Sequence, residues 1–215
     1  MTKPKLSDRI LVDNMDVFDK MLGHRFVLDI KNGTMSSTTF ERYLRYEGAF
    51  VETAISIVAY AVANSKTMNQ KRKLISVLDA LANQQINYFE RVYLGRKIEP
   101  DMIDVLIPPV VAFQANMLNI AREGNFLDII VALFAAEWMY FTWCSDAANY
   151  PISDPWLKEW VALHADPAFT AQALWLKMEL DEAGPALSEN ECQHLSRIFA
   201  RVTELEIDFH NAPYA

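Results

Sequence analysis

The sequence predicts an all-α protein, a multi-helix bundle that forms a single domain over residues 1–215. Three observations favour this class: the chain has only 6 glycines, its apolar residues recur at spacings of three and four, and no Asn-Gly turn joins alternating runs. Its 215 residues are 52% hydrophobic, which is enough for one sizeable core and too apolar for a disordered chain. No linker, repeat or low-complexity segment divides it.

The predicted helices have recognisable start signals. These are two capping boxes and two aspartates that precede a proline at the first helical position: Thr38 with Glu41, Ser188 with Glu191, Asp154 and Asp166. With the apolar periodicity, they predict helices at 6–21, 37–64, 68–95, 108–123, 125–149, 154–165, 167–184 and 188–211, and a short helix near 101–106.

Charge and cysteine content exclude some classes of protein. The net charge of −8 argues against a nucleic-acid partner, which would need a basic face. Cys144 and Cys192 both lie in apolar helical patterns without a basic neighbour, which favours inert buried thiols over a nucleophile. The beginning of the chain does not resemble a signal peptide, so we expect a cytoplasmic protein in a reducing compartment.

The segment from Ile129 to Ser145 approaches the length of a membrane span. However, Glu137 lies at its centre, and Asp128 and Asp146 flank it without an adjacent Lys or Arg. This pattern favours the central helix of a soluble protein, and we expect no membrane partner.

The sequence lacks the common cofactor and metal motifs. There is no Gly-rich phosphate loop, no Cys-x-x-Cys and no His-Glu-x-x-His. A di-iron bundle would need a Glu-x-x-His pair, but the third long helix offers only Gln85 and Tyr88. The histidines lie on four separate segments: His24, His164, His194 and His210. We therefore expect no cofactor and no metal.

Three carboxylates lie on apolar, aromatic helix faces, and they are the candidate site residues. Glu137 shares its face with Leu133, Phe134, Tyr140 and Phe141. Burying an unpaired charge there would cost several kcal/mol, so Glu137 has either a structural partner or a functional role, although no basic residue lies within two turns.

The other two carboxylates are Glu47, between Tyr43 and Phe50, and Glu206, beside Phe209 and His210. Three such faces could form a pocket for a flat heterocycle, with rings for stacking and carboxylates for N–H groups. The structural alternative is pairing with the nearby arginines: Arg42, Arg45 and Arg201. For His164 and His210 the alternatives are a hydrogen-bonded core ring and a catalytic group.

At these residues the chain resembles the TenA (thiaminase II) family, all-α proteins of haem-oxygenase-like architecture that bind no haem. The resemblance runs from about His24 to Phe209, and it rests on the order of five segments: HRFVLDIKNGT, FERYLRYEGAF, EGNFLDIIVALFAAEWMY, WVALHADPAF and ELEIDF. The commoner branch of the family has a nucleophilic cysteine where this chain has Ala136. The other branch lacks it and has a glutamate one position later, which is Glu137.

The resemblance implies a substrate and the roles of individual residues. The family hydrolyses the exocyclic C–N bond of aminomethyl or formylaminomethyl pyrimidines from thiamin breakdown. Glu137, Glu206 and Tyr140 would be catalytic, with the two carboxyls exchanging protons. The remaining matched residues would bind the pyrimidine: Tyr43, Glu47, Phe50, Phe113 and His164. Family members often have tyrosines at the last three of these positions, so the bound ring could differ.

Three functions remain open at this point. The first is a pyrimidine hydrolase, and the second is a pyrimidine- or thiamin-binding protein without catalytic activity, which Ala136 and the missing tyrosines favour. The third is a transcriptional regulator, which the acidic charge disfavours. We also expect a homo-oligomer, a tetramer or dimer, because apolar residues such as Tyr150 and Trp156 exceed what one domain needs.

Overall fold

The structure is a computed structural model that describes residues 4–215. All the regular secondary structure in these residues is helical, and no strand occurs among them. The predicted all-α class is therefore confirmed. The α-helices, in chain order, are α1 Leu6–Asp13, α2 Met15–Leu22, α3 Arg25–Lys31, α4 Ser37–Asn64, α5 Met68–Asp79, α6 Ile86–Arg96, α7 Pro108–Glu123, α8 Phe126–Ala147, α9 Pro155–His164, α10 Pro167–Ala183 and α11 Glu189–Asn211.

The helices with strong terminal signals lie where they were predicted. α4 and α7 have the predicted bounds, and α8 to α11 agree within two residues at each end. Asp154 accepts hydrogen bonds from the backbone N–H groups of Trp156 and Leu157, and Asp166 accepts one from that of Phe169 at 2.7 Å. These carboxylates satisfy the free donors of the first turn.

The prediction of one helix over 6–21 was wrong, because the chain breaks between α1 and α2 at Asn14. The Asn14 side-chain amide donates to the Ile10 carbonyl at 2.8 Å and to Ser196 Oγ at 2.8 Å. A third short helix, α3, was not predicted; its cap is His24, whose Nδ1 accepts from the Phe26 N–H at 3.1 Å.

Two further local predictions were wrong. Residues 101–103 form a turn and bends, and residues 104–106 have no regular structure, so the short helix is not present. The cap of α4 is Ser36, whose Oγ accepts from the Thr39 N–H at 3.1 Å, so Thr38 and Glu41 form no capping box. Glu41 pairs with Arg96 at 3.0 Å.

The predicted helix 68–95 is continuous but not uniform. α5 runs into a π-helical segment at Ala80–Gln85, which leads directly into α6. Such segments are rare and short, and they occur frequently at functional sites.

Contacts divide the described chain into two compact units, the first formed by residues 4–35 with Ile130–Asp208 and the second by Ser36–Ile129 with Phe209–Ala215. The core of the first unit includes a stacked pair, Trp143 and Trp160, with ring centroids 5.5 Å apart. Phe26 meets Trp143 edge-on at 6.2 Å. The prediction of one domain over 1–215 stays a prediction.

In the second unit, Tyr93 of α6 ties that helix to α4. Its hydroxyl donates to the Leu44 carbonyl at 2.8 Å. A Cβ at position 48 would overlap this hydroxyl, so Gly48 is what allows the close approach.

α4 and α8 are long and apolar enough to cross a membrane by length and composition alone. In the most apolar window of α8, 67% of the residues are buried inside the protein. A buried core helix meets the same criteria.

Candidate functional site

Glu137 lies in the middle of α8, in the first unit, and its two carboxylate oxygens have different surroundings. Oε1 accepts a hydrogen bond from Nε2 of Gln172 on α10 at 3.1 Å. Oε2 is buried and has no hydrogen-bond partner among residues 4–215. The residue as a whole retains some accessible surface.

Burial raises the pKa of Glu137 from 4.5 to about 7, and the Gln172 hydrogen bond opposes part of that rise. Desolvation penalises the ionised form, whereas a hydrogen bond to the carboxylate favours it. No charged side chain of the described residues contributes to this shift, and Glu137 forms no ion pair there. The structural alternative, a buried arginine beside Glu137, is therefore excluded within residues 4–215.

Tyr140 and His164 lie together in the first unit. Their ring centroids are 5.1 Å apart, and Trp160 and Phe169 pack on the imidazole at 4.2 and 5.0 Å. His164 Nδ1 lies 2.9 Å from the Trp160 carbonyl oxygen, which can only accept, so Nδ1 carries the proton in the neutral ring. Burial lowers the pKa of His164 to about 4, against an opposing contribution from this bond.

Glu206 of α11 also belongs to the first unit and is fully buried, at 1% exposure. Arg201, which the sequence offered as its partner, instead reaches Glu204 at 3.4 Å on the protein surface. Val202 and Thr203, which lie four and three residues before Glu206 on the same helix face, are buried with it.

The second unit holds the other predicted binding residues. Phe50 and Phe113 have ring centroids 4.7 Å apart, and Phe113 lies 5.2 Å from Phe209. Tyr43 meets Phe209 edge-on at 6.1 Å. Phe209 thus joins Tyr43, Phe50 and Phe113 into one aromatic cluster, and Glu47 is buried on α4 between the positions of Tyr43 and Phe50.

Glu47 and Arg45 both affect the pKa of Tyr93. Burial raises the pKa of Tyr93 to about 12; Arg45 opposes this rise and Glu47 adds to it. Arg45 also donates to the Pro100 carbonyl at 3.0 Å. Arg42, the other arginine proposed for Glu47, donates to the carbonyl groups of the chain end, including that of Pro213 at 3.2 Å.

Sequence reasoning missed Gln172. It is a lone amide in the apolar run AFTAQALWL, three residues after Phe169 and on the same helix face. A polar residue in such a run was a usable signal, but the pattern could not identify a partner 35 residues away.

Two further features bear on ligands. Within residues 4–215, no group of three or more His, Cys, Asp or Glu side chains is placed to hold a metal ion. The first unit contains an open cavity of about 510 Å³ between α1, α2 and α8, to which Trp138 and Phe141 contribute. None of the predicted site residues lines this cavity.

The fold is shared with solved structures of TenA proteins. A TenA homologue from Pyrococcus furiosus aligns with a TM-score of 0.89 at 19% identity, covering 97% of this chain and 100% of that chain. A protein described as a TenA family transcription regulator, from Silicibacter sp. TM1040, aligns with a TM-score of 0.88 at 19% identity, covering 99% of both chains. These similarities place the chain in the class of all-α proteins with the TenA fold.

The chain belongs to the TENA/THI-4/PQQC family, which it matches over residues 14–215. An aminopyrimidine aminohydrolase from Halalkalibacterium halodurans is 26% identical over 203 residues, which cover 92% of this chain and 90% of that protein. An aminopyrimidine aminohydrolase from Helicobacter pylori is 18% identical, with 98% and 99% covered. The predicted family is confirmed, while membership of the cysteine-lacking branch stays a prediction.

Proposed function

We propose that this protein is a hydrolase of thiamin salvage that cleaves the exocyclic C–N bond of an aminopyrimidine or its formylated form. The observation that carries the proposal is the carboxyl of Glu137, held by a neutral amide in an apolar helix with a pKa of about 7. A group that titrates near the operating pH is suited to general acid–base catalysis. Family membership and the two aminohydrolase relatives support the substrate class.

The proposed reaction needs one proton acceptor and one proton donor. The oxygen of a water molecule bonds to the exocyclic carbon, the C–N bond breaks, and the nitrogen leaves as ammonia after accepting a proton. The products from an aminomethylpyrimidine are a hydroxymethylpyrimidine and ammonia. We assign the two proton transfers to Glu137 and Glu206, with Tyr140 beside the reacting carbon; the sequence resemblance does not fix which carboxyl acts as the base.

The binding roles remain predictions from the resemblance. Tyr43, Phe50 and Phe113 would supply ring contacts, and Glu47 would accept a hydrogen bond from the pyrimidine amine. His164 differs from the tyrosine common in the family: it is neutral at neutral pH and carries its proton on Nδ1. Its Nε2 can therefore accept a hydrogen bond but cannot donate one.

A specific observation favours a second candidate, a pyrimidine-binding protein without catalysis. Ala136 offers no nucleophile, and three of the four rings in the aromatic cluster, those of Phe50, Phe113 and Phe209, have no hydroxyl group. A pocket that had lost its chemistry would retain such stacking surfaces.

Purified protein should be incubated with aminomethyl- and formylaminomethylpyrimidine while ammonia, formamide and formate are measured. Cleavage of the exocyclic C–N bond releases ammonia from the first compound and formamide from the second, whereas formate would report hydrolysis of the amide bond. We expect ammonia from the aminomethyl compound and loss of turnover in Glu137→Gln, with Glu182→Gln on the exposed side of α10 as the matched control. Hydroxymethylpyrimidine should release none of these products. Saturable binding of the pyrimidines without release of ammonia, formamide or formate would reject the hydrolase and support the binding protein.

A further inference from the structure

The contact between Glu137 and Gln172 distinguishes the two oxygens of one carboxyl group. The Gln172 amide donates to Oε1 at 3.1 Å, while Oε2 is buried and has no hydrogen-bond partner within the described residues. A carboxyl oxygen that accepts a hydrogen bond from an amide is disfavoured as the site of protonation. When Glu137 is neutral, its proton therefore resides on Oε2.

The effect of Gln172 on Glu137 depends on the chemical nature of its side chain as much as on its position. A lysine or arginine at this place would hold the carboxylate ionised at every relevant pH, and an apolar residue would leave the two oxygens equivalent. A glutamine does neither, because its amide is a fixed dipole without charge. It orients the carboxyl and still allows Glu137 to be protonated and deprotonated.

Gln172 is placed by well-defined elements. The Asp166 cap fixes the first turn of α10, and Phe169 and Gln172, three residues apart, share one helix face. Phe169 packs on His164 at 5.0 Å, and Gln172 binds Glu137. One face of α10 therefore supports two of the predicted site residues. The buried neighbours Ala173 and Leu176 hold that face against the core.

We propose that Gln172 is a positioning residue of this site: its amide holds Oε1 of Glu137 and makes Oε2 the oxygen that binds an N–H group of the ligand. This inference rests on the proposed function for the identity of the ligand, an aminopyrimidine. The orientation of the carboxyl itself is a property of the protein alone and can be measured without turnover.

The test compares Gln172→Leu, which removes the donor at similar volume, with Gln193→Leu. Gln193 makes the same kind of bond, to Glu189 Oε1 at 3.2 Å, on the exposed surface of α11. The titration of Glu137 is followed by infrared difference spectroscopy of its carboxyl band, which is assigned by its absence in Glu137→Gln.

Loss of the amide removes stabilisation of the ionised form, so we expect the titration midpoint of Glu137 to rise by about one pH unit in Gln172→Leu. The pH profile of kcat/KM should shift by the same amount, and the Gln193→Leu control should shift neither. The Gln172→Glu variant, which keeps the side-chain shape, should make Glu137 titrate as a coupled pair in two steps.

A Gln172→Leu protein that is folded and has an unchanged titration midpoint would overturn the inference. If that variant does not fold, single-step titration at the wild-type midpoint in Gln172→Glu would overturn it equally. Failure of the proposed function gives a different result, since wild-type protein would then release no ammonia, formamide or formate while the infrared shift on removal of Gln172 still appeared.

Discussion

Replacing Glu137 by Gln should change how the stability of the protein depends on pH. The folded state raises the pKa of Glu137 from 4.5 to about 7, chiefly through burial. The folded protein therefore binds this proton more tightly than the unfolded chain does, and stability falls as the pH rises from 4.5 through 7. At about 1.4 kcal/mol per pKa unit, the stability that Glu137 contributes should fall by about 3 kcal/mol across that range, measured as the difference in unfolding free energy between wild type and Glu137→Gln.

The Glu137→Gln variant lacks the titrating group but keeps a side-chain oxygen that can accept the hydrogen bond from Gln172. Near pH 5 we expect it to be less stable than wild type by no more than about 1.5 kcal/mol. Near pH 8 it should be the more stable of the two, because wild type then carries a buried carboxylate. Turnover of the best pyrimidine should fall by roughly 10²–10⁴ at every pH.

The assay is urea denaturation of both proteins at several pH values, with turnover measured on the same samples. Parallel stability curves would refute the assigned pKa and its cause. A variant that keeps wild-type activity per folded molecule would remove Glu137 from the proposed mechanism and leave Glu206 and Glu47 as the carboxyls to test.

Four further predictions concern other parts of the molecule. Burial lowers the pKa of His164 to about 4, so the contribution of His164 to stability should fall by up to about 3 kcal/mol as the pH falls from 6.5 to 4. In urea denaturation, the difference in unfolding free energy between wild type and His164→Phe should change by that amount over this range, whereas the difference between wild type and a variant of the exposed His194 should not. Gly48→Ala should cost about 1–3 kcal/mol, because the new Cβ displaces the Tyr93 hydroxyl from the Leu44 carbonyl. The same substitution should cost much less in a Tyr93→Phe background, and equal costs in thermal melts of the two series would exclude this explanation. Light scattering at micromolar concentration should give the mass of a homo-oligomer, and elemental analysis should find no stoichiometric metal.

The helices that were predicted well from the sequence are those with capping residues at their ends. Asp154 and Asp166 cap α9 and α10 through local backbone donors, so three or four neighbouring residues contain the necessary information. The break at Asn14 depends on Ser196, 182 residues away, and a local pattern cannot include such a partner. The π-helical segment at Ala80–Gln85 has no distinctive composition, so periodicity predicted an uninterrupted helix.

The candidate site likewise has some features that the sequence predicts and others that depend on tertiary packing. The apolar faces around Glu47 and Glu206 are visible in sequence, and both residues are buried. No basic residue lies within two turns of Glu137 in the sequence, which left its partner open, and Glu137 forms no ion pair within the described residues. Its actual partner, Gln172, comes from a different helix, and only the packing of α8 and α10 reveals it. The raised pKa of Glu137 likewise follows from burial of its carboxyl group, a tertiary property.

The proposed hydrogen bond from a ligand to Glu137 would also couple ligand binding to the exchange of protons with the solvent. With a pKa of about 7, it is close to half protonated in a neutral buffer. A ligand that donates an N–H group to Oε2 stabilises the ionised form, and so it must expel the fraction of a proton still bound, about one half per protein chain near pH 7. The heat of binding would then contain the ionisation enthalpy of the buffer, and titration calorimetry in phosphate and in Tris would give different enthalpies for the same ligand. The difference between them counts the protons released, and thereby reports the charge of Glu137 in the complex.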